Sequence, residues 1–163
     1  METLQIHPLT PDRAADFTDL FGPQGACYGC WCSYFRLPPK VRQALDGDGK
    51  RDHMLARIAA GPPPGLLAYD GAQAIGWMQI GPRADVPQWN KPNRSSTPLP
   101  DAPADDPGVW AISCFFFRPK LRGRGLSGAM LTGGIAHARA HGARLIEASP
   151  MDRAKQSKSI GLF

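Results

Sequence analysis

The sequence predicts a single mixed α/β domain over residues 1–163, and three observations carry that reading. Asp70-Gly71 lies between two apolar runs and marks a hairpin, because tight two-residue turns need the positive φ angles that Asp-Gly supplies. Val109 to Phe117 is apolar at almost every position, as a strand covered on both faces must be. Directly after it, an arginine- and glycine-rich stretch opens onto residues with helical spacing.

From the N-terminus, Leu4 to His7 reads as a first strand, and Thr10-Pro11-Asp12 as the cap and first turn of a helix running to Phe21. Ala14, Phe17, Leu20 and Phe21 share one face of that helix, and Gly22 ends it. After a loop from Gly22 to Cys32, Pro38 to Ala60 shows helical spacing interrupted at Gly47-Asp48-Gly49. The reading is a short helix and a longer one, stopped by Gly61-Pro62-Pro63-Pro64. Gly65 to Tyr69 and Ala72 to Ile80 form the hairpin arms. Gly81 to Gly108 is rich in Pro, Asp, Asn and Ser and too long for an ordinary connection, which predicts a functional or mobile loop. Val109 to Phe117 is the central strand. Gly125 to His141 is a helix packed through Leu126, Met130, Gly133, Gly134, His137 and Ala138, and Arg144 to Ala148 is the last strand.

Composition narrows the function. Hydrophobic residues make up 42% and charged residues 20% of the chain, as in ordinary globular proteins. The net charge of +5 is not gathered into any run of five basic residues or interleaved with aromatics, so nucleic acid is not expected as a partner. A phosphate-rich small ligand accounts for the charge more simply. Met1 to Thr10 lacks the pattern of a secretory signal, and no stretch approaches the roughly eighteen apolar residues needed to span a bilayer. A cytoplasmic protein is therefore expected, its four cysteines as thiols.

The loop Arg122-Gly123-Arg124-Gly125-Leu126-Ser127 carries the chemistry. Glycines let backbone N–H groups approach phosphate oxygens, the following helix presents its positive end, and Arg122 and Arg124 add full charges. Gly123 to Gly128 also reads as G-x-G-x-x-G, with Glu147 near the distance of a ribose-binding acid. Against a dinucleotide fold, five residues separate the strand from the first glycine, and too little chain follows Glu147 for the remaining parallel strands.

The hexapeptide resembles the Arg/Gln-x-x-Gly-x-Gly/Ala pyrophosphate signature of the GCN5-related N-acetyltransferases, the GNAT family, with Ser127 in place of the final small residue. Phe117-Arg118-Pro119 before it and Ala129-Met130-Leu131 after it also look like the family's strand end and helix start. The resemblance implies a GNAT-like mixed sheet, truncated after the fifth strand. It implies acetyl-CoA as co-substrate and direct transfer of the acetyl group to a primary amine of a small molecule or peptide. By position, the backbone of Cys114, Phe115, Phe116 and Phe117 would bind the pantetheine arm and polarise the thioester carbonyl, and residues 122–127 would hold the pyrophosphate.

Glu147 is the candidate base, with an ordinary solvent-facing strand carboxylate as the competing reading. Pro150 to Phe163 contains no Tyr to serve as the family's general acid, and that role has no candidate. Tyr28, Cys30, Trp31 and Cys32 sit where the family lines its acceptor pocket, and Cys-Trp-Cys resembles a segment of a bacterial subgroup. No metal is expected there: Cys27, Cys30 and Cys32 supply three ligands, with no second Cys/His pair nearby in sequence. The family's two further strands have no counterpart before Phe163. Three readings are open: a fragment, an edge supplied by a partner or a second copy, or an acyl-CoA-binding module without turnover.

Overall fold

The computed structural model describes residues 4–91 and 97–150. Five strands form one sheet in sequential order: β1 (Gln5–Pro8), β2 (Gly65–Asp70), β3 (Gln73–Pro82), β4 (Val109–Phe117) and β5 (Leu145–Ala148). The first four are antiparallel, and β5 joins β4 in parallel through the crossover helix α4 (Leu126–Ala140). Between β1 and β2 lie α1 (Ala14–Phe21), α2 (Pro39–Ala44) and α3 (Gly47–Ala60). The mixed α/β class is as the sequence predicts. The segment following Pro150, which holds no Tyr to serve as a general acid, lies outside the described residues.

Two local expectations are corrected. The predicted break at Gly47-Asp48-Gly49 falls earlier, at Leu45-Asp46, and both glycines belong to the first turn of α3. Asp46 caps that turn, its Oδ1 accepting the Gly49 N–H at 2.7 Å. A cap of that kind is worth about 1 kcal/mol and offsets much of the similar cost of a helical glycine. The hairpin turn is Gly71-Ala72 rather than Asp70-Gly71, since Asp70 pairs with Gln73 and Gly71 takes the left-handed angle at φ +57°.

The sheet separates two cores. On one face α4 lays Leu126, Met130 and Ala138 on Leu66, Met78, Ile80, Ile112 and Phe117. On the other, α1, α3 and the cysteine loop cover Leu67, Tyr69, Trp77 and Phe116. Trp77 is fully buried there, edge-on to Phe17 with ring centroids 5.2 Å apart. Burying an aromatic ring of this size contributes on the order of 3 kcal/mol.

Candidate active site

The site begins with a defect in β4. Gln79 of β3 pairs with Cys114, but the next residue, Ile80, pairs with Ile112, so Ser113 is an extra residue in β4. An inserted residue of this kind kinks a strand and reverses the parity of the residues after it. Trp110 and Ile112 before the bulge and Phe115 and Phe117 after it all face α4, whereas Cys114 and Phe116 face the cysteine loop. Pairing with β5 stops at the same level: it covers Val109 to Ile112, with Ala148 opposite Ile112. From Ser113 to Phe117, the β5 side of the strand has no strand partner among the described residues. The backbone expected to hold an acyl-CoA arm is the stretch where the sheet opens.

Beyond Phe117 the chain turns through Pro119–Leu121 into the glycine loop. Gly123 and Gly125 adopt φ +76° and +75°, and nothing lies within 4 Å of the position a Cβ would occupy at either. Gly125 caps α4 with no side-chain cap bond, and Ser127 and Gly128 are exposed. The first turn of a 15-residue helix thus faces open space, the arrangement that suits a phosphate. Arg124 is exposed. Arg122 instead folds back, its Nε donating to the Phe117 carbonyl at 3.1 Å and its guanidinium lying over the Phe116 ring. Leu126 is buried in the α4 core, so only its backbone faces the loop.

Glu147 pairs in register with Ala111, next to the open stretch of β4. Its carboxylate forms an ion pair with Arg83, whose side chain is fully buried. Arg83 sits in a 3-10 turn at the end of β3, donates through Nε to Asn90 Oδ1 at 2.7 Å, and leaves Nη2 buried without a partner. Two residues on, Asp85 binds two more guanidiniums, Arg36 at 2.8 Å and Arg57 at 2.9 Å. Burial pushes the Asp85 carboxyl up, but the bonds from Arg57 and Arg36 outweigh it and hold it below the ordinary range.

The cysteine loop is built from strained backbone. Ala26, Tyr28, Trp31 and Cys32 all have positive φ, unusual for residues with side chains. The strain is retained because Trp31 stacks on Phe21, with centroids 5.6 Å apart, and because Cys32 is buried. Cys32 Sγ lies 2.7 Å from Gln79 Oε1 and accepts the Trp77 indole N–H at 3.2 Å. Cys114, opposite Gln79 in the β3–β4 register, packs against the same core. Burial and the neighbouring Cys32 push Cys30 up to about 12. Tyr28, expected to line the acceptor pocket, is 82% exposed, while Trp31 and Cys32 are core residues. The fold brings Cys114 to the core that Cys27 and Cys32 also line, a convergence their spacing does not reveal, yet among the described residues no group of three His, Cys, Asp or Glu is placed to hold a metal. Arg83, Arg36, Gln79 and Trp77 are site residues that sequence reasoning does not single out. Gln79, a lone polar residue in an apolar strand, is the one visible signal.

Residues 31–163 match the family model described as the Acetyltransferase (GNAT) family. The chain belongs to the GNAT family. Solved GNAT structures share its fold. A GCN5-related N-acetyltransferase from Ralstonia eutropha is 16% identical, covers 98% of this chain and 96% of its own, and superposes with a TM-score of 0.53. A GNAT acetyltransferase from Brucella melitensis, solved with acetyl-CoA, is 14% identical over 94% of this chain and 79% of its own, with a TM-score of 0.52. The aminoglycoside acetyltransferase AAC(6')-Iy, bound to a CoA bisubstrate analogue, is 16% identical over 93% and 82%, with a TM-score of 0.51. No curated protein matches the sequence. No helix among the described residues is long and apolar enough to cross a membrane.

Proposed function

We propose that the chain is an acetyl-CoA-dependent N-acetyltransferase acting on a primary amine by direct attack. The observation that carries this reading is the coincidence of the Ser113 bulge with the end of β4–β5 pairing, on the strand that leads into a glycine loop with open space above it. Acetyl-CoA would supply an activated thioester. The backbone of Cys114 to Phe117 would orient it and polarise its carbonyl, while residues 122–127 take the pyrophosphate. Glu147, oriented by Arg83, would accept the proton that an ammonium acceptor must lose before attack. The amine nitrogen then bonds to the carbonyl carbon, the C–S bond breaks, and the CoA thiolate leaves and takes up a proton.

Two measurements test this. Calorimetry should show the chain binding acetyl-CoA and not NAD; the reverse would replace the GNAT chemistry with dinucleotide binding. A CoA-thiol release assay across a panel of amines should find acceptor-dependent turnover. Binding without turnover for every amine would mark an acyl-CoA-binding module.

A further inference from the structure

We propose that the Arg122 side chain is a positioning residue for acyl-CoA, a strap that fixes the open half of β4 to the glycine loop, and not a counter-charge for phosphate. The 3-10 turn Pro119–Leu121 reverses the chain. It is closed by the Leu121 N–H on the Arg118 carbonyl at 2.9 Å and the Arg122 N–H on the Pro119 carbonyl at 3.3 Å. Arg122 is thereby laid back along the strand the chain has just left, and its side chain does two things with two parts. Nε donates to the Phe117 carbonyl at 3.1 Å, and the guanidinium lies 5.6 Å from the centroid of the Phe116 ring. The first is an ordinary hydrogen bond and the second is within reach of a cation–π contact.

The ladder tells which edge the strap closes. The Arg118 N–H donates to the Ile75 carbonyl at 3.0 Å, while Gly76 stands opposite Phe117. In an antiparallel ladder that pattern makes Gly76 and Phe117 a non-hydrogen-bonded pair, so the N–H and C=O of Phe117 point away from β3. They point to the side on which β4 has no strand partner among the described residues. Phe117 is only 7% exposed, and a buried carbonyl left without a donor is costly. Arg122 supplies that donor from the first residue of the glycine loop. Resting on the proposed function, the bond ties the stretch that would hold the pantetheine arm to the loop that would hold the pyrophosphate, so their spacing is set before the ligand arrives.

The cations around the loop divide in the same way. Arg118 is committed to the Ala74 carbonyl at 2.9 Å and to Asp19 at 2.5 Å, as Arg122 is to Phe117 and Phe116. Lys120 and Arg124 are exposed, and they are the side chains placed to answer phosphate charge. An arginine bonds through Nε while its guanidinium plane rests on a ring; a lysine ammonium is a single point charge and cannot do both. Glutamine replaces half of the strap. Its amide nitrogen stands at the same place along the side chain as Nε, and it donates without carrying charge.

Acetyl-CoA affinity, measured by calorimetry, separates a strap from a counter-charge. Arg122→Gln should bind within about threefold of the wild-type chain, having lost only the ring contact. Arg122→Lys, which keeps the charge and loses the Nε donor, should bind about tenfold more weakly. Arg124→Gln should flatten the salt dependence of binding, because screening acts on exposed charge, and Arg122→Gln should not. Lysine retaining affinity while glutamine loses it, or equal affinity for the two variants, would overturn the proposal. A second readout needs no ligand. In the unliganded chain, hydrogen exchange at the Arg118 amide, which closes the ladder to β3, should quicken in Arg122→Lys and be rescued in Arg122→Gln. Unchanged exchange in Arg122→Lys would sink the strap by itself, with circular dichroism reporting that each variant is folded. A chain that exchanges as expected but binds no acetyl-CoA would leave the strap standing and remove the proposed function.

Discussion

Arg83 and Glu147 join the end of β3 to β5 through an ion pair in which the guanidinium is fully buried and the carboxylate only partly so. Removing one member of such a pair strands the other. Glu147→Gln is expected to destabilise the fold by about 3 kcal/mol, read as a lower urea midpoint at unchanged slope. If Glu147 is also the base, turnover at saturating acetyl-CoA falls further and loses its acid limb. A variant that keeps its pH profile would reduce Glu147 to an architectural partner.

Gly125 has room above it and a left-handed backbone at φ +75°. Gly125→Glu places a carboxylate at the mouth of α4, where the helix end favours anions, and is expected to abolish CoA binding by calorimetry. Gly125→Ala, carrying only the backbone strain of about 1 kcal/mol, should bind measurably. Equal affinity for the two variants would move the pyrophosphate elsewhere.

Asp85, bound by Arg36 and Arg57, titrates below the ordinary carboxylate range. A depressed folded value means that its stabilisation is present above the unfolded value, about 4, and is lost as pH falls through the folded one. Unfolding free energy measured down the acid limb should fall more steeply for the wild-type chain than for Asp85→Asn. Parallel curves would contradict the assignment.

Gly25 supports the cysteine loop from below. A Cβ there would lie 2.2 Å from the Trp31 indole, and its φ is +66°. Gly25→Ala should cost about 1–3 kcal/mol by displacing Trp31 and straining the backbone, and Trp fluorescence should shift to the red as the indole gains water. An unshifted spectrum would show that the loop does not depend on this contact.

Much of this architecture is legible in the sequence because it rests on local rules. Val109 to Phe117 is predicted to its ends because every local signal there agrees, and the predicted helix Gly125 to His141 encloses the observed Leu126–Ala140 with those two residues as its caps. The misplaced break at Gly47 shows one local rule overriding another, since the Asp46 cap outcompetes the glycines. What could not be read is pairing across distance. Arg83 with Glu147 and Arg36 with Asp85 are brought together by the way a turn, a strand and a loop pack in space, which no local rule encodes. The Ser113 bulge is equally silent, because a serine in an apolar strand looks like an ordinary interruption.

That bulge makes β4 two strands in one. Its first half obeys one parity and is locked between neighbours, while its second half obeys the other and presents Cys114 and Phe116 to the cysteine loop. Losing Ser113 would restore a uniform alternation and exchange the two faces of residues 114–117, sending phenylalanines toward the loop and a thiol toward α4. One inserted residue thus keeps the half of the strand that is paired on both sides apart from the half whose β5 side is unpaired among the described residues, so that each can change sequence without re-aiming the other.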